Sequence, residues 1–470
     1  MRYVSTRGEA PELGFEDVLL TGLARDGGLY LPDHWPRFSH AEIAGMAGKP
    51  YEAVALEVMR PFVGGEIEDA ALLAIITEAY ATFRHRAVAP LVQIAPADWI
   101  LELFHGPTLA FKDVAMQVLA RLMDRALQRR GTRVTIVGAT SGDTGGAAIE
   151  AFRGRSAIEM FILYPHGRVS DVQRRQMTTP SDVNIHAIAV DGTFDDCQNI
   201  VKALFNDLQF RERMQLAGVN SINWARLVAQ IVYYFTSAAA LGAPARRMGF
   251  AVPTGNFGDI FAGYAALRMG LPISRLIMAT NVNDILVRTF ETGVYEPREV
   301  VATRSPSMDI QVSSNFERLL FELSGRNPAR VVDQMEMLRR DGRFALEAAE
   351  QATLHQSFGA VRISEEETRE EIRRLAAATG YVADPHTAVG TAAARRVARA
   401  AGEPMITLAT AHPAKFPDAI DDALGQPPAV PESIAWQAAR PERISRVPAD
   451  ARRIAEFIEA NASERRTAPA

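Results

Sequence analysis

Between residues 133 and 259 the same local grammar recurs four times: a short apolar run, then small or polar residues, then, in most cases, a helical pattern. The runs are RVTIVGA (133–139), IEMFILY (158–164), VNIHAIAVDG (183–192) and GFAVPTGNFGD (249–259). Strands alternating with helices at this spacing predict parallel sheets with right-handed crossovers, hence an α/β fold. Helices are expected over AAIEAFRG (147–154), SDVQRRQM, FDDCQNIVKALFNDLQF and the strongly apolar WARLVAQIVYYFTSAAAL (224–241). RLIMATN (275–281) and MITLATAHP (405–413) read as later buried strands, and 315–375 as mostly helical and charged. The first ninety or so residues read as a separate unit with helices near 51–60 and 66–86. A chain of 470 residues exceeds one ordinary core, so two or three domains are expected.

The net charge of −5 and the lack of any basic block argue against nucleic acid as the main partner. Cys197 is the only cysteine, which excludes an intrachain disulfide, and no Cys/His zinc spacing occurs. The opening MRYVSTRGEAPELGFEDVLL lacks the basic start and apolar run of a signal peptide, and apolar stretches break before membrane-spanning length. A cytoplasmic protein with no membrane partner and no metal is the expectation. Of 51 basic residues only four are lysines, at 49, 112, 202 and 415. Chemistry needing a deprotonatable amine cannot use arginine. Lys49 and Lys202 read as surface positions; Lys112 and Lys415 stand inside motifs.

Four segments carry chemistry. In FHGPTLAFKDVAMQVLARLMDRALQRRG, Val114, Val118, Leu122 and Ala126 share a helical face and Gly131 ends the helix. Lys112, beside Phe111, then sits at the helix N-terminus, where the dipole and apolar surroundings disfavour an ammonium, as a Schiff-base lysine requires. By position alone a snorkelling lysine is the more common outcome. ATSGDTGG (139–146) places Thr140, Ser141 and Thr144 between a strand and a helix, a site for an anion such as a carboxylate. PTGNFGD (253–259) brings Gly255, Asn256, Phe257, Gly258 and Asp259 to a similar turn, where backbone N–H groups can converge on a phosphate. Neither loop has P-loop or dinucleotide glycine spacing, and either alone is weak. ATAHPAKF (409–416) puts Thr410 and Lys415 at the ligand-facing end of a late strand. The polar clusters NSINWAR (220–226) and SSNF (313–316) interrupt apolar surroundings; ligand contact and structural hydrogen bonding are equal alternatives for them.

HGPTLAFKD and TAHPAKF, in order with GLARDGGLYLP, ATSGDTGGAA, NSINWAR, PTGNFGD and SSNFERL, resemble the threonine synthases of the branch with a long N-terminal domain. The resemblance covers nearly the whole chain. It implies a pyridoxal-phosphate enzyme of fold type II, similar to tryptophan synthase β: two parallel-sheet α/β domains with a helical N-terminal domain. The implied layout is an N-terminal domain over 1–90 and a catalytic region over 91–435. The latter divides into a smaller part (about 113–240) and a larger part (91–112 plus 241–435), with a helical tail over 436–470. The resemblance makes Lys112 the cofactor-bonding lysine with Phe111 beside it, Gly255 to Asp259 the phosphate cup and Thr410 the partner of the pyridine nitrogen. Thr140, Ser141 and Thr144 become the substrate carboxylate cradle, and Lys415 with Arg226 and Ser221 or Asn223 the site for a substrate phosphate. Asp143 stands where many relatives of the wider fold carry Asn, and a carboxylate there would repel the cofactor's 3′-oxygen. The implied reaction converts O-phosphohomoserine and water to threonine and phosphate by γ-elimination and β-addition, in a monomer or homodimer. A dehydratase of the same fold, or a cofactor-binding relative without activity, are the alternatives.

Overall fold

A computed structural model describes residues 1–462. The chain packs as two compact units, the first comprising Met1–Val18, Leu23–Ala115 and Ser221–Ala429, the second Leu19–Gly22, Met116–Asn220 and the chain from Val430 onward.

The first unit is built on a six-stranded sheet in the order Phe358–Arg362, Ile273–Thr280, Met248–Pro253, Met405–Ala409, Asp98–Glu102, Leu91–Ala95. All neighbours are parallel except the last pair, an antiparallel hairpin with Pro96 in its turn. The central strands are buried on both faces, as near-continuous apolar runs require. Ala251, Ile277, Val389 and Met405 belong to one core cluster. One feature escaped the sequence reading. Phe358–Arg362 is a strand inside the stretch read as helical, too short to show a period between two charged helices. Residues 1–18 and 23–90 pack within the first unit: Tyr3 donates its hydroxyl to the Phe62 carbonyl at 2.6 Å, and both rings pack on the buried Trp224.

The second unit holds a five-stranded parallel sheet in the order Ser445–Pro448, Ile185–Asp191, Ile158–Pro165, Val134–Ala139, Leu216–Ala217. Its edge strand comes from the segment read as a helical tail over 436–470, where Val447, Ile454 and Ile458 join the core of Phe161, Ile188 and Cys197. Residues 463–470 of that tail lie outside the described residues. The helix Trp224–Ala240, assigned from sequence to the smaller part, belongs to the first unit. The helix Lys112–Arg130 starts in the first unit and continues into the second. Among the described residues no helix is long and apolar enough to cross a membrane.

Candidate active site

Lys112 is delivered by a segment tied down at nearly every residue. The Phe111 amide donates to the Thr410 carbonyl at 2.8 Å, and the His412 amide to the Leu109 carbonyl at 3.0 Å. These bonds splice the segment onto the end of the strand Met405–Ala409. Asp113 accepts from the Thr108 amide at 2.8 Å and from its hydroxyl at 2.7 Å. This closes the turn so tightly that a Cβ on Gly106 would lie 2.4 Å from Asp113 Cβ. Leu109 is forced to φ 63°, a left-handed conformation costing a non-glycine residue roughly 1–3 kcal/mol. Lys112 is then the first residue of its helix, buried, with Nζ 4.8 Å from the Phe111 ring centre and 3.4 Å from Ser307 Oγ.

Lys415, read as part of a site for a substrate phosphate, lies in the interior. It is 0 % exposed, and its ammonium donates to the Thr108 carbonyl at 2.8 Å. That bond ties Lys415 to the segment that presents Lys112. Lys49 and Lys202 are exposed, as read.

The loop Gly255–Asp259 forms a cup at the end of the strand Met248–Pro253. Gly255 is required by contact: a Cβ there would meet the Ser307 carbonyl oxygen at 2.7 Å and Met308 Cα at 3.3 Å. The Gly255 carbonyl accepts the Ser313 hydroxyl at 2.6 Å, and the Asn256 carbonyl accepts the Asn315 amide group at 3.1 Å. Phe257 adopts φ 63° and begins the helix Gly258–Arg268, its ring held against Phe316 and Phe358. No side chain caps that helix, so its first N–H groups and dipole are available to an anion. The SSNF cluster therefore serves the structural alternative, as hydrogen-bonding support beneath the cup.

Asp259, in the first turn, is buried. Its Oδ1 accepts the Tyr233 hydroxyl in a short bond and the Tyr234 hydroxyl at 3.3 Å, while Oδ2 has no hydrogen-bond partner. Burial pushes its carboxyl up to about 7, against the lowering effect of the two hydroxyls and Lys112. Near neutrality about half of this acid is uncharged, which weakens its repulsion of an anion at the same helix start.

In NSINWAR, Asn223 caps the helix Trp224–Ala240 by accepting the Ala225 amide at 3.0 Å, and the Ser221 carbonyl accepts from Asn315 at 3.2 Å. Burial pulls the Arg226 guanidinium down to about 10, leaving it charged at neutral pH. Arg318, inside SSNFERL but given no role there, is 0 % exposed and stands over the Trp224 ring. It donates to the Tyr30 carbonyl at 3.0 Å, the Ile222 carbonyl at 2.6 Å and Asn315 Oδ1. One side chain thereby joins the N-terminal segment, NSINWAR and the support of the cup.

In the second unit, Thr140 Oγ1 accepts the amides of Gly142 at 3.0 Å and Gly145 at 2.9 Å, shaping its own loop. Ser141 is exposed and Thr144 half-buried. Asp143 accepts the Gln173 amide group at 2.9 Å.

Sequence reading also missed Ser307, His386 and Asp384. Ser307 lies on the short turn Pro306–Met308, and its amide donates to His386 Nε2 at 3.2 Å. His386 Nδ1 is 2.7 Å from Asp384 Oδ2. A Pro-His pair directly after an acid at a helix start was the available signal.

The uncapped helix start, the glycine whose Cβ has no room, Asp259 with its raised carboxyl and the buried Lys112 together fit pyridoxal phosphate: a phosphate seat beside an amine. Among the described residues no cluster of His, Cys, Asp and Glu could hold a metal.

Known proteins agree with this geometry. Residues 2–80 match the family described as threonine synthase N terminus, 85–410 that of pyridoxal-phosphate dependent enzymes, and 387–458 the threonine synthase C-terminal family. The threonine synthase of Pseudomonas aeruginosa is 53 % identical over 459 residues, covering 97 % of this chain and 98 % of its own. A threonine synthase from Brucella melitensis, solved with pyridoxal phosphate bound, superposes with a TM-score of 0.97 at 55 % identity, covering 99 % of this chain and 100 % of its own. The yeast threonine synthase structure gives a TM-score of 0.94 at 40 % identity, covering 98 % and 99 %. The chain belongs to the threonine synthase family, pyridoxal-phosphate enzymes of fold type II.

Proposed function

We propose that this chain converts O-phospho-L-homoserine and water to L-threonine and phosphate, the last step of threonine biosynthesis, as a cytoplasmic monomer or homodimer. The observation that carries the proposal is the pairing, within one unit, of buried Lys112 at a helix start with an uncapped glycine cup on the same sheet. When bound, the cofactor supplies the electron sink that lets protons leave the substrate's α and β carbons and phosphate leave its γ carbon.

The chain's own residues do the rest. Lys112 would hold the cofactor through its amine, and that amine, once free, would take the proton from the substrate's Cα. Gly255, Asn256, Phe257, Gly258 and Asp259 seat the cofactor phosphate, chiefly through backbone N–H groups at the helix start. Phe111 packs beside the lysine, and the Thr410 hydroxyl meets the ring nitrogen. Thr140, Ser141 and Thr144 take the substrate carboxylate. Ser221, Asn223 and Arg226 take its phosphate; Arg226 is suited to this because a desolvated guanidinium binds phosphate oxygens in pairs. Lys415 joins them at the substrate phosphate, while its bond to the Thr108 carbonyl steadies the segment before Lys112. Water must reach Cβ only after phosphate has left, since early release of the intermediate would yield 2-oxobutyrate instead of threonine.

The test is phosphate release from O-phosphohomoserine by the cofactor-loaded protein beside Lys112→Ala. Release with equimolar threonine, abolished by the substitution, is expected. No release from protein that visibly holds the cofactor sinks the proposal.

A further inference from the structure

The turn that fills the space over Gly255 is anchored far more heavily than three residues of short helix need. On one side, Asp309 Oδ1 accepts from Asn281 at 2.8 Å, Asn283 at 3.0 Å and the Thr303 hydroxyl at 2.7 Å, while Oδ2 takes the Thr303 amide at 2.9 Å. On the other, the Ser307 amide donates to His386 Nε2. Accepting there leaves the ring proton on Nδ1, which donates to Asp384 Oδ2. Asp384 is itself fixed as the cap of the helix Pro385–Arg396, accepting the amides of His386 at 3.0 Å and Thr387 at 3.1 Å. Both His386 and Asp384 are buried, and the imidazole packs on the Phe416 ring. What this scaffold delivers is one hydroxyl, Ser307 Oγ, to the Lys112 amine.

We propose that Ser307 is a catalytic residue whose hydroxyl accepts an N–H of the Lys112 amine, and that His386, held by Asp384, is the positioning residue that keeps it there. This rests on Lys112 being the cofactor lysine. A neutral amine has two N–H bonds and one lone pair. With one N–H engaged by Ser307 Oγ, rotation about Cε–Nζ is restricted and the lone pair has a defined direction for taking the Cα proton. When that proton arrives, the same hydroxyl accepts from the ammonium, a charge-assisted bond stronger than the neutral one. No bond to Ser307 forms, and its own proton stays in place. The 3.4 Å separation is long for such a bond, as catalytic hydrogen bonds often are before substrate tightens the site.

Four lysines make the test direct. In the cofactor-free full chain, acylation of Lys112 by an acetylating reagent at fixed pH is followed by mass spectrometry, with exposed Lys49 and Lys202 as internal standards. Ser307→Ala removes an acceptor from the ammonium, so Lys112 should label faster relative to Lys49, by roughly tenfold. In the loaded enzyme, Ser307→Ala should lower kcat by about 10- to 100-fold. KM and cofactor affinity should hold within about threefold, an energy under 1 kcal/mol. Ser307→Thr should restore most of kcat. His386→Leu should reproduce the kcat loss, and His386→Gln, which keeps an acceptor, should recover part of it. Unchanged labelling with near-normal kcat in Ser307→Ala overturns the proposal. So does a kcat loss matched by loss of cofactor affinity, which would make the turn a seat and nothing more. If bound cofactor gives Lys112 no protection from acylation, the cofactor-lysine reading fails as well, an outcome distinct from protection with an indifferent Ser307.

Discussion

Replacing Gly255 by alanine exchanges one hydrogen for a methyl group, and the structure says where it goes. The new Cβ would sit 2.7 Å from the Ser307 carbonyl oxygen, 3.1 Å from Ile310 Cδ1 and 3.3 Å from Met308 Cα. Carbon–oxygen contacts settle near about 3.3 Å, so roughly 0.6 Å must be opened. A flexible side chain could give that, but the obstacle is backbone, pinned by His386 on one side and by Asp309 on the other. Overpacking against a fixed wall costs about 1–3 kcal/mol. If the cup moves instead, the loss falls on cofactor affinity, and the same energy corresponds to about 5- to 150-fold. If the turn moves, Ser307 leaves Lys112, already at the long end of hydrogen-bond range. Spectroscopic titration of the cofactor-free protein with pyridoxal phosphate, beside thermal melting, separates the two routes. Gly258→Ala is the control for stability: its Cβ would lie 3.3 Å from the Asn315 side-chain nitrogen and 3.9 Å from the Ser221 carbonyl oxygen, and it should melt within about 0.5 kcal/mol of the parent. A Gly255→Ala protein with unchanged melting and unchanged cofactor affinity would refute the claim that this contact shapes the cup.

Two more outcomes follow from buried charge. Asp259 has its carboxyl raised from 3.8 to about 7 by burial, so its favourable contribution is complete below pH 4 and is lost as pH rises through 7. Over that window the cofactor-free protein should lose roughly 4 kcal/mol relative to Asp259→Asn, and urea unfolding at pH 4.5, 6 and 7.5 should show a flatter profile for the variant. Equal slopes would contradict the assignment. Arg318→Met leaves the Tyr30 and Ile222 carbonyls and Asn315 Oδ1 without their donor and should destabilise by about 3–5 kcal/mol, with Arg318→Lys recovering little because one ammonium cannot replace a planar fork; a melting temperature unchanged by either substitution would argue against that linking role.

What the sequence by itself determined is whatever is local. The strand-loop-helix recurrence set the α/β class, because period and turn chemistry act over a few residues. Lys112 at a helix start, the cup from Gly255 to Asp259 and Thr410 at a strand end were legible for the same reason. Each is one turn between two elements. Tertiary structure decided what depends on distant chain segments. Ser307 is 195 positions from Lys112 and 79 from His386, and nothing in its own neighbourhood marks it. Lys415 stood in a motif, but its hydrogen bond to a carbonyl 307 positions away was not legible there. Asp259 read as one more cup residue until burial raised its carboxyl, against the lowering pull of two tyrosine hydroxyls from another helix. Burial, partner and protonation state belong to the packed interior, where dielectric and geometry are set by residues that sequence order keeps apart.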